Sequence, residues 1–124
     1  MNCASHSSGM AMEASEWTTQ LRRGVLEFCI LQILRNRPSY GYEIVTQLES
    51  LGPLAAGEST VYPILRRLRT DALVEVFEQP SPAGPPRQYY RLTAAGRKRL
   101  ARLASDWDAV VQAIARCTGQ EPRK

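Results

Sequence analysis

The run Glu58-Ser59-Thr60-Val61-Tyr62-Pro63-Ile64-Leu65-Arg66-Arg67-Leu68, ESTVYPILRRL over residues 58–68, carries two messages that conflict at first sight. Val61, Ile64, Leu65 and Leu68 repeat at the i, i+3, i+4, i+7 spacing of a helix buried along one face. Pro63 interrupts that pattern, and proline removes a backbone donor and breaks helix interiors. The conflict resolves at a helix N-terminus. If Thr60 is the N-cap, Pro63 takes the third helical position, where no intrahelical donor is lost. If the helix starts earlier, near Gly57, Pro63 costs the bond to the Ser59 carbonyl and offsets the first turn. In both cases the apolar stripe is buried. Ser59, Pro63, Arg66 and Thr70 then share the opposite face, flanked by Tyr62 and Arg67.

Outward from this helix the chain reads as a series of short elements. Upstream, LRRGVLEFCILQILRN (residues 21–36) is helical and apolar on two sides. Leu21, Val25, Phe28, Cys29 and Gln32 form one stripe, and Leu26, Ile30, Ile33 and Leu34 another. A helix with two apolar faces needs two covers, which in a small domain means its own core and a partner subunit. SYGYEIVTQLESLG (39–52) follows, with Tyr40, Ile44, Leu48 and Leu51 on one stripe and Tyr42 facing away from it. Gly52-Pro53 ends this helix, and the short turn GPLAAG leads into the arginine-bearing one, a helix-turn-helix pattern. Downstream, LVEVFEQ (73–79) and RQYYRLT (87–93) alternate as strands do, around the loop PSPAGPP. Helix-turn-helix followed by a hairpin is the winged-helix arrangement.

The last element starts at Thr93, an apt N-cap, and runs to about Thr118. Leu100, Leu103, Trp107, Val110, Ile114 and Cys117 recur at intervals of 3 and 4, the seam of a coiled coil, and Ala104 and Val111 widen the stripe. The expected organisation is a disordered leader over 1–18, a winged helix-turn-helix domain over 19–92, a C-terminal dimerisation helix over 93–118 and a tail over 119–124. The fold class is thus mainly α with a small β-hairpin. The dimer interface is expected at Leu21, Val25, Phe28, Leu100, Leu103, Trp107, Val110, Ile114 and Cys117.

Composition narrows the partner. The chain has 124 residues, 44% of them apolar, and a net charge of +4. Between Arg66 and Arg102 nine basic residues face three acidic ones, the electrostatic footprint of a site for a polyanion. Three scattered cysteines, Cys3, Cys29 and Cys117, form no ligand pattern and suit a reducing cytoplasm. The only histidine, His6, lies in the leader. No signal peptide or membrane span is expected. No nucleophile–base pair, metal-ligand cluster or phosphate-binding glycine loop is present, so neither an enzyme nor a cofactor or metal is expected.

Four segments in this order, YGYEI (40–44), STVYPILRRL (59–68), the strand after that helix, and RQYYRLTAAG (87–96), resemble the PadR-type transcriptional regulators over about residues 21 to 118. The single short C-terminal helix is similar to the smaller of the family's two architectures. The resemblance implies a homodimeric winged-helix repressor on an inverted-repeat operator, released in some members by a small molecule. In drug-sensing members an aromatic residue at the place of Trp107 stacks planar cationic compounds, which marks Trp107, Val25 and Val111 as candidate ligand contacts. Asp106 and Asp108 are weaker candidates toward a cationic ligand. The chain departs from the family pattern at Ala72, where glycine is usual after the recognition helix, and at Gln88, which removes a wing charge.

The expected partners are therefore double-stranded DNA, a second copy of the chain and a small-molecule effector, without a membrane. For DNA the candidate residues are Tyr42, Ser59, Thr60, Tyr62, Pro63, Arg66, Arg67, Arg87 and Tyr89. Arginines pair bidentately with guanine in the major groove, and hydroxyls near a helix start bind phosphate. Tyr62 has an alternative as a half-buried residue on the second helix, and Arg91 as a structural one. Cys29 and Cys117 admit a redox switch or, as the plainer reading, a structural role. The competing function is a winged-helix protein-interaction module whose basic face meets an acidic partner.

Overall fold

The computed structural model describes residues 7–120, with side chains from residue 16 onward. Cys3 and His6 lie outside it. Helix α1 spans Ser7–Asn36, a two-residue strand β1 covers Ser39–Tyr40, and α2 covers Gly41–Glu49. A 3-10 turn at Gly52–Leu54 leads to α3, Glu58–Thr70; strands β2 (Val74–Gln79) and β3 (Arg87–Leu92) follow, and α4 (Ala94–Cys117) closes the chain. The result is an α+β winged helix.

The core collects one face from each helix. Leu26, Ile30, Leu31 and Leu34 of α1 meet Ile44, Val45 and Leu48 of α2 and Val61, Leu65 and Leu68 of α3, all of them buried. Val74 and Leu92 close the core from the sheet, and Leu100 from α4. The second face of α1 stays uncovered within the chain: Leu21 is exposed and Val25, Phe28 and Cys29 are half-buried. α4 repeats this division. Its seam begins inside the chain's own core and ends in solvent, with Val110 47% and Ile114 56% exposed. Leu100, expected at the dimer interface, is only 5% exposed and belongs to the intrachain core. The first turns of α4 run antiparallel to the end of α1, so the first seam residue is already consumed there.

Three further expectations are corrected. The leader expected to be disordered over 1–18 is helical from Ser7. Its Met, Ala and Glu residues are good helix formers, and no proline stops them. Leu51, placed on the buried stripe of the second helix, is exposed beyond the end of α2. The hairpin gains a third strand: β1 pairs with β3 through Ser39–Tyr90 and Tyr40–Tyr89, giving the antiparallel order β1-β3-β2. Two residues before a helix carry no alternation from which a strand can be read.

The start of α3 is the earlier of the two alternatives. Gly57 is its N-cap, and both Thr60 and Val61 donate their amides to the Gly57 carbonyl. Pro63 therefore lies inside the helix, in its second turn, and the Ser59 carbonyl receives no bond from position 63. Pro63 is exposed on the side away from the core, where water can satisfy that carbonyl.

The departure at Ala72 has a backbone counterpart. Ala72 adopts φ +60, the only non-glycine residue with positive φ among those described. Its amide bonds the Arg69 carbonyl and the Leu73 amide bonds the Leu68 carbonyl, a helix end closed by a left-handed residue. A side chain there costs about 1–2 kcal/mol, partly offset by the ~0.5–1 kcal/mol of flexibility that glycine adds to the unfolded chain. Ala72→Gly is expected to raise the thermal midpoint by a few degrees. A lowered midpoint would show that Ala72 is unstrained.

Candidate nucleic-acid interface

The outward face of α3 carries Ser59, Pro63, Arg66 and Thr70, all open to solvent, while Val61, Leu65 and Leu68 on the opposite side are buried. Arg66 is thus presented outward by a helix whose other side is locked into the core. The sequence-predicted residues around this row divide into outward and inward ones.

Tyr42, on α2, is 61% exposed. Tyr62 is half-buried: its ring lies so close to Gly41 that a Cβ there would sit 2.6 Å from its Cε1 and Oη. Burial, the Glu58 charge and Tyr90 together push its phenol above the usual range. Tyr62 thus packs against the start of the second helix. Tyr40, Tyr42, Tyr62, Arg87 and Gln88 border a shallow concavity of about 480 Å³ between helix and wing.

The outer face of the sheet is a stack. In β3 residues 87, 89 and 91 point to one side. There Arg87 lies 4.4 Å over the Tyr40 ring, and Tyr40 meets Tyr89 edge-on at 5.3 Å. Tyr89 stacks on Phe77 at 5.6 Å, and Arg91 covers Phe77 at 4.4 Å while bonding Glu75 at 2.7 Å. Tyr89, expected as a DNA contact, is an interior member of this stack. Arg91 takes its structural alternative. Arg87 has no ion-pair partner among the described residues. Tyr40, absent from the candidate residues, is the surface on which Arg87 rests. Its place is pinned by its own amide, which donates to Glu43 Oε1 at 3.1 Å.

Arg67 differs from Arg66. Its guanidinium turns toward α1 and pairs with Glu27 at 3.6 Å, and the other oxygen of Glu27 accepts from Arg99 Nε at 2.8 Å. One carboxylate therefore ties α1 to both α3 and α4. Both arginines are about half exposed, so the stabilisation is at most about 1 kcal/mol per pair. Its larger consequence is to remove Arg67 from the row led by Arg66. Glu27 sits in the interior of α1, and no spacing rule links it to residue 67.

Trp17 and Leu21 of α1 and Trp107, Val110, Val111 and Ile114 of α4 are large apolar residues left exposed. Phe28 and Trp107 meet with ring centroids 6.3 Å apart. A cavity of about 450 Å³ opens here, walled by Trp17, Leu21, Val25, Phe28, Cys29 and Trp107. Val25 and Trp107 of the candidate ligand residues come together in it. Val111 does not line it. Burial pushes the Cys29 thiol up, which disfavours the reactive thiolate. Among the described residues no helix is long and apolar enough to cross a membrane.

Comparison with known proteins places this architecture. The family model described as "Transcriptional regulator PadR-like family" matches residues 30–102. A PadR family transcriptional regulator from Eggerthella lenta has a similar structure at TM-score 0.78 and 29% identity, over 90% of this chain and 96% of that one. A PadR-like regulator from Bacillus cereus gives TM-score 0.74 and 34% identity over 82% and 99%. PadR of Bacillus subtilis, solved in complex with operator DNA, gives TM-score 0.59 and 27% identity over 64% of this chain and 46% of that one.

Proposed function

The chain belongs to the PadR-like family of transcriptional regulators, and from this we propose that it is a homodimeric repressor that reads an inverted-repeat operator with α3. The observation that carries the reading is the exposed row Ser59–Pro63–Arg66–Thr70, backed by a buried stripe on the same helix. The operator complex of the Bacillus subtilis relative supports DNA as the partner.

In this reading α3 lies in the major groove and Arg66 grips a guanine edge. Ser59, with the Glu58 and Ser59 amides at the start of α3, holds a phosphate. Tyr42 presents its hydroxyl to one backbone strand, and Arg87 reaches the same strand from the wing. Tyr62 and Tyr89 support these groups. Two copies joined through Leu21, Val25, Phe28 and the exposed part of the α4 seam would present two α3 helices to the two halves of a palindrome.

Footprinting with the full chain on the DNA around its own gene tests the reading. A protected inverted repeat is the expected result. No protection at any moderate salt concentration would leave the acidic-protein partner as the better account. A mass measurement in solution tests the pairing, and a monomer at micromolar concentration would contradict it.

An effector site is proposed at Trp107 and Val25. The cavity of about 450 Å³ there lies within the ~300–1,000 Å³ range of small-ligand sites, and Asp106 on the adjoining surface suits a cationic ligand. A planar aromatic cation is expected to quench tryptophan fluorescence, and Trp107→Ala to weaken its binding about tenfold or more. Unchanged affinity in that variant would move the site elsewhere.

A further inference from the structure

We propose that the flank of α3 facing α1 is a second DNA-phosphate site, formed by Arg22 and Arg23 of α1 with Thr60 and Arg67 of α3, and that Glu27 limits its strength. The inference rests on the proposal that α3 enters the major groove. A helix with its side chains is ~10–12 Å across, and the groove is ~12 Å wide. A helix seated there has no slack on either side. Its outward row meets the bases, and its two flanks each face one sugar–phosphate wall.

One flank turns toward α2 and the wing, where Tyr42 and Arg87 stand. The other is the row Thr60–Ile64–Arg67, one step around the helix from Ser59–Pro63–Arg66. This row closes against α1 in a cavity of about 270 Å³ whose wall includes Arg22, Arg23, Thr60, Ile64 and Arg67 and contains no carboxylate. Arg22 is aimed by bonds to the Pro53 carbonyl at 3.4 Å and the Thr19 hydroxyl at 3.3 Å. Arg23 has no ion-pair or hydrogen-bond partner among the described residues. Three guanidinium groups at one concavity repel one another, and a phosphate strand relieves that repulsion with charge-assisted hydrogen bonds. The site thus answers the wing across the groove and gives each wall of the duplex its own cationic contact.

Glu27 sets the strength of this contact. Its side chain is only 17% exposed and its two oxygens hold Arg67 and Arg99. It draws Arg67 toward the protein and cancels part of the charge that the phosphate would meet. Glu27 acts through these arginines and is a positioning residue.

The test uses the full chain, a duplex carrying its footprinted operator with flanking base pairs, and a random duplex of equal length. Affinities are measured from 50 to 200 mM salt. Each phosphate left without its cation flattens the logarithmic salt slope by about 0.9, so Arg23→Gln is expected to flatten it by about 1.8 per dimer. It weakens both duplexes at least threefold and leaves the thermal midpoint unchanged. Glu27→Gln is expected to do the reverse, tightening both duplexes and steepening the slope. If the wild type binds its operator and neither Arg22→Gln nor Arg23→Gln alters the slope, the second site is wrong and the reading by α3 stands. A loss confined to the operator sequence would make these arginines base readers and also overturns the proposal. So does binding of inorganic phosphate that Arg23→Gln abolishes while the DNA slope stays unchanged, since the site would then serve a small anion. A wild type that binds neither duplex removes the DNA reading itself.

Discussion

Replacing Arg66 with alanine is expected to lower affinity for the operator about ten- to a hundredfold per half-site and to leave binding to unrelated DNA nearly as it was. Arg66 stands exposed in the middle of the outward row of α3, with no ion-pair partner among the described residues. A bidentate arginine–guanine pair discriminates by about 1–3 kcal/mol, and a tenfold change corresponds to ~1.4 kcal/mol. The lost specificity should concentrate at one base pair in each half of the repeat. Arg66→Lys should fail to restore it, because an ammonium lacks the planar fork that matches two acceptors. Arg87→Ala provides the contrast: it should weaken all sequences alike and flatten the salt slope by about 0.9 for each phosphate it no longer neutralises. Competition binding against single-substituted operators separates the two behaviours. A uniform loss for Arg66→Ala would reassign it to the backbone and move base reading to another member of the row.

Gly96→Ala should be the most disruptive single change for folding. The first turn of α4 rests directly on the residue before β2, and a Cβ at position 96 would be placed on the Leu73 carbonyl oxygen. That oxygen accepts from the Thr93 amide at 3.1 Å, while the Thr93 hydroxyl donates to the Ala72 carbonyl and accepts from the Gly96 amide. Backbone cannot rotate aside as a side-chain tip can. The methyl group therefore pushes α4 away from the wing and opens this whole junction. Overpacking of this kind costs ~1–3 kcal/mol, and the upper end is expected here, or roughly a 10 °C fall in the thermal midpoint. A midpoint within ~2 °C of the wild type would show that α4 can lift without cost. Gly41→Ala should be milder, because the Tyr62 ring that it meets can tilt.

The two glycines show how far a sequence can be read. Gly41 and Gly96 both lie in motifs legible as text, yet nothing in YGYEI or LTAAG states that one faces the Tyr62 ring and the other a carbonyl before the hairpin. The same holds for Arg66 and Arg67. They are adjacent and chemically identical, and a helical wheel puts both near the outward face. Glu27 separates them, and it does so from the interior of a different helix.

What the sequence by itself determined was everything set by local periodicity and by capping. The buried stripe and outward row of α3, the two-faced α1, the alternation of β2 and β3 and the Thr93 cap all follow from spacing and backbone preference within a few residues, whereas the anomaly at Ala72 shows only against the family pattern. Only the tertiary structure decided which faces meet. It gave Leu100 to the chain's own core, paired β1 with β3 so that Tyr40 lies beneath Arg87, packed Tyr62 against Gly41, placed Tyr89 in a ring stack between Tyr40 and Phe77, and brought Arg22 and Arg23 beside Thr60 and Arg67. These outcomes depend on close approach between segments far apart in the chain, where packing and single ion pairs choose among positions that the local pattern leaves equivalent.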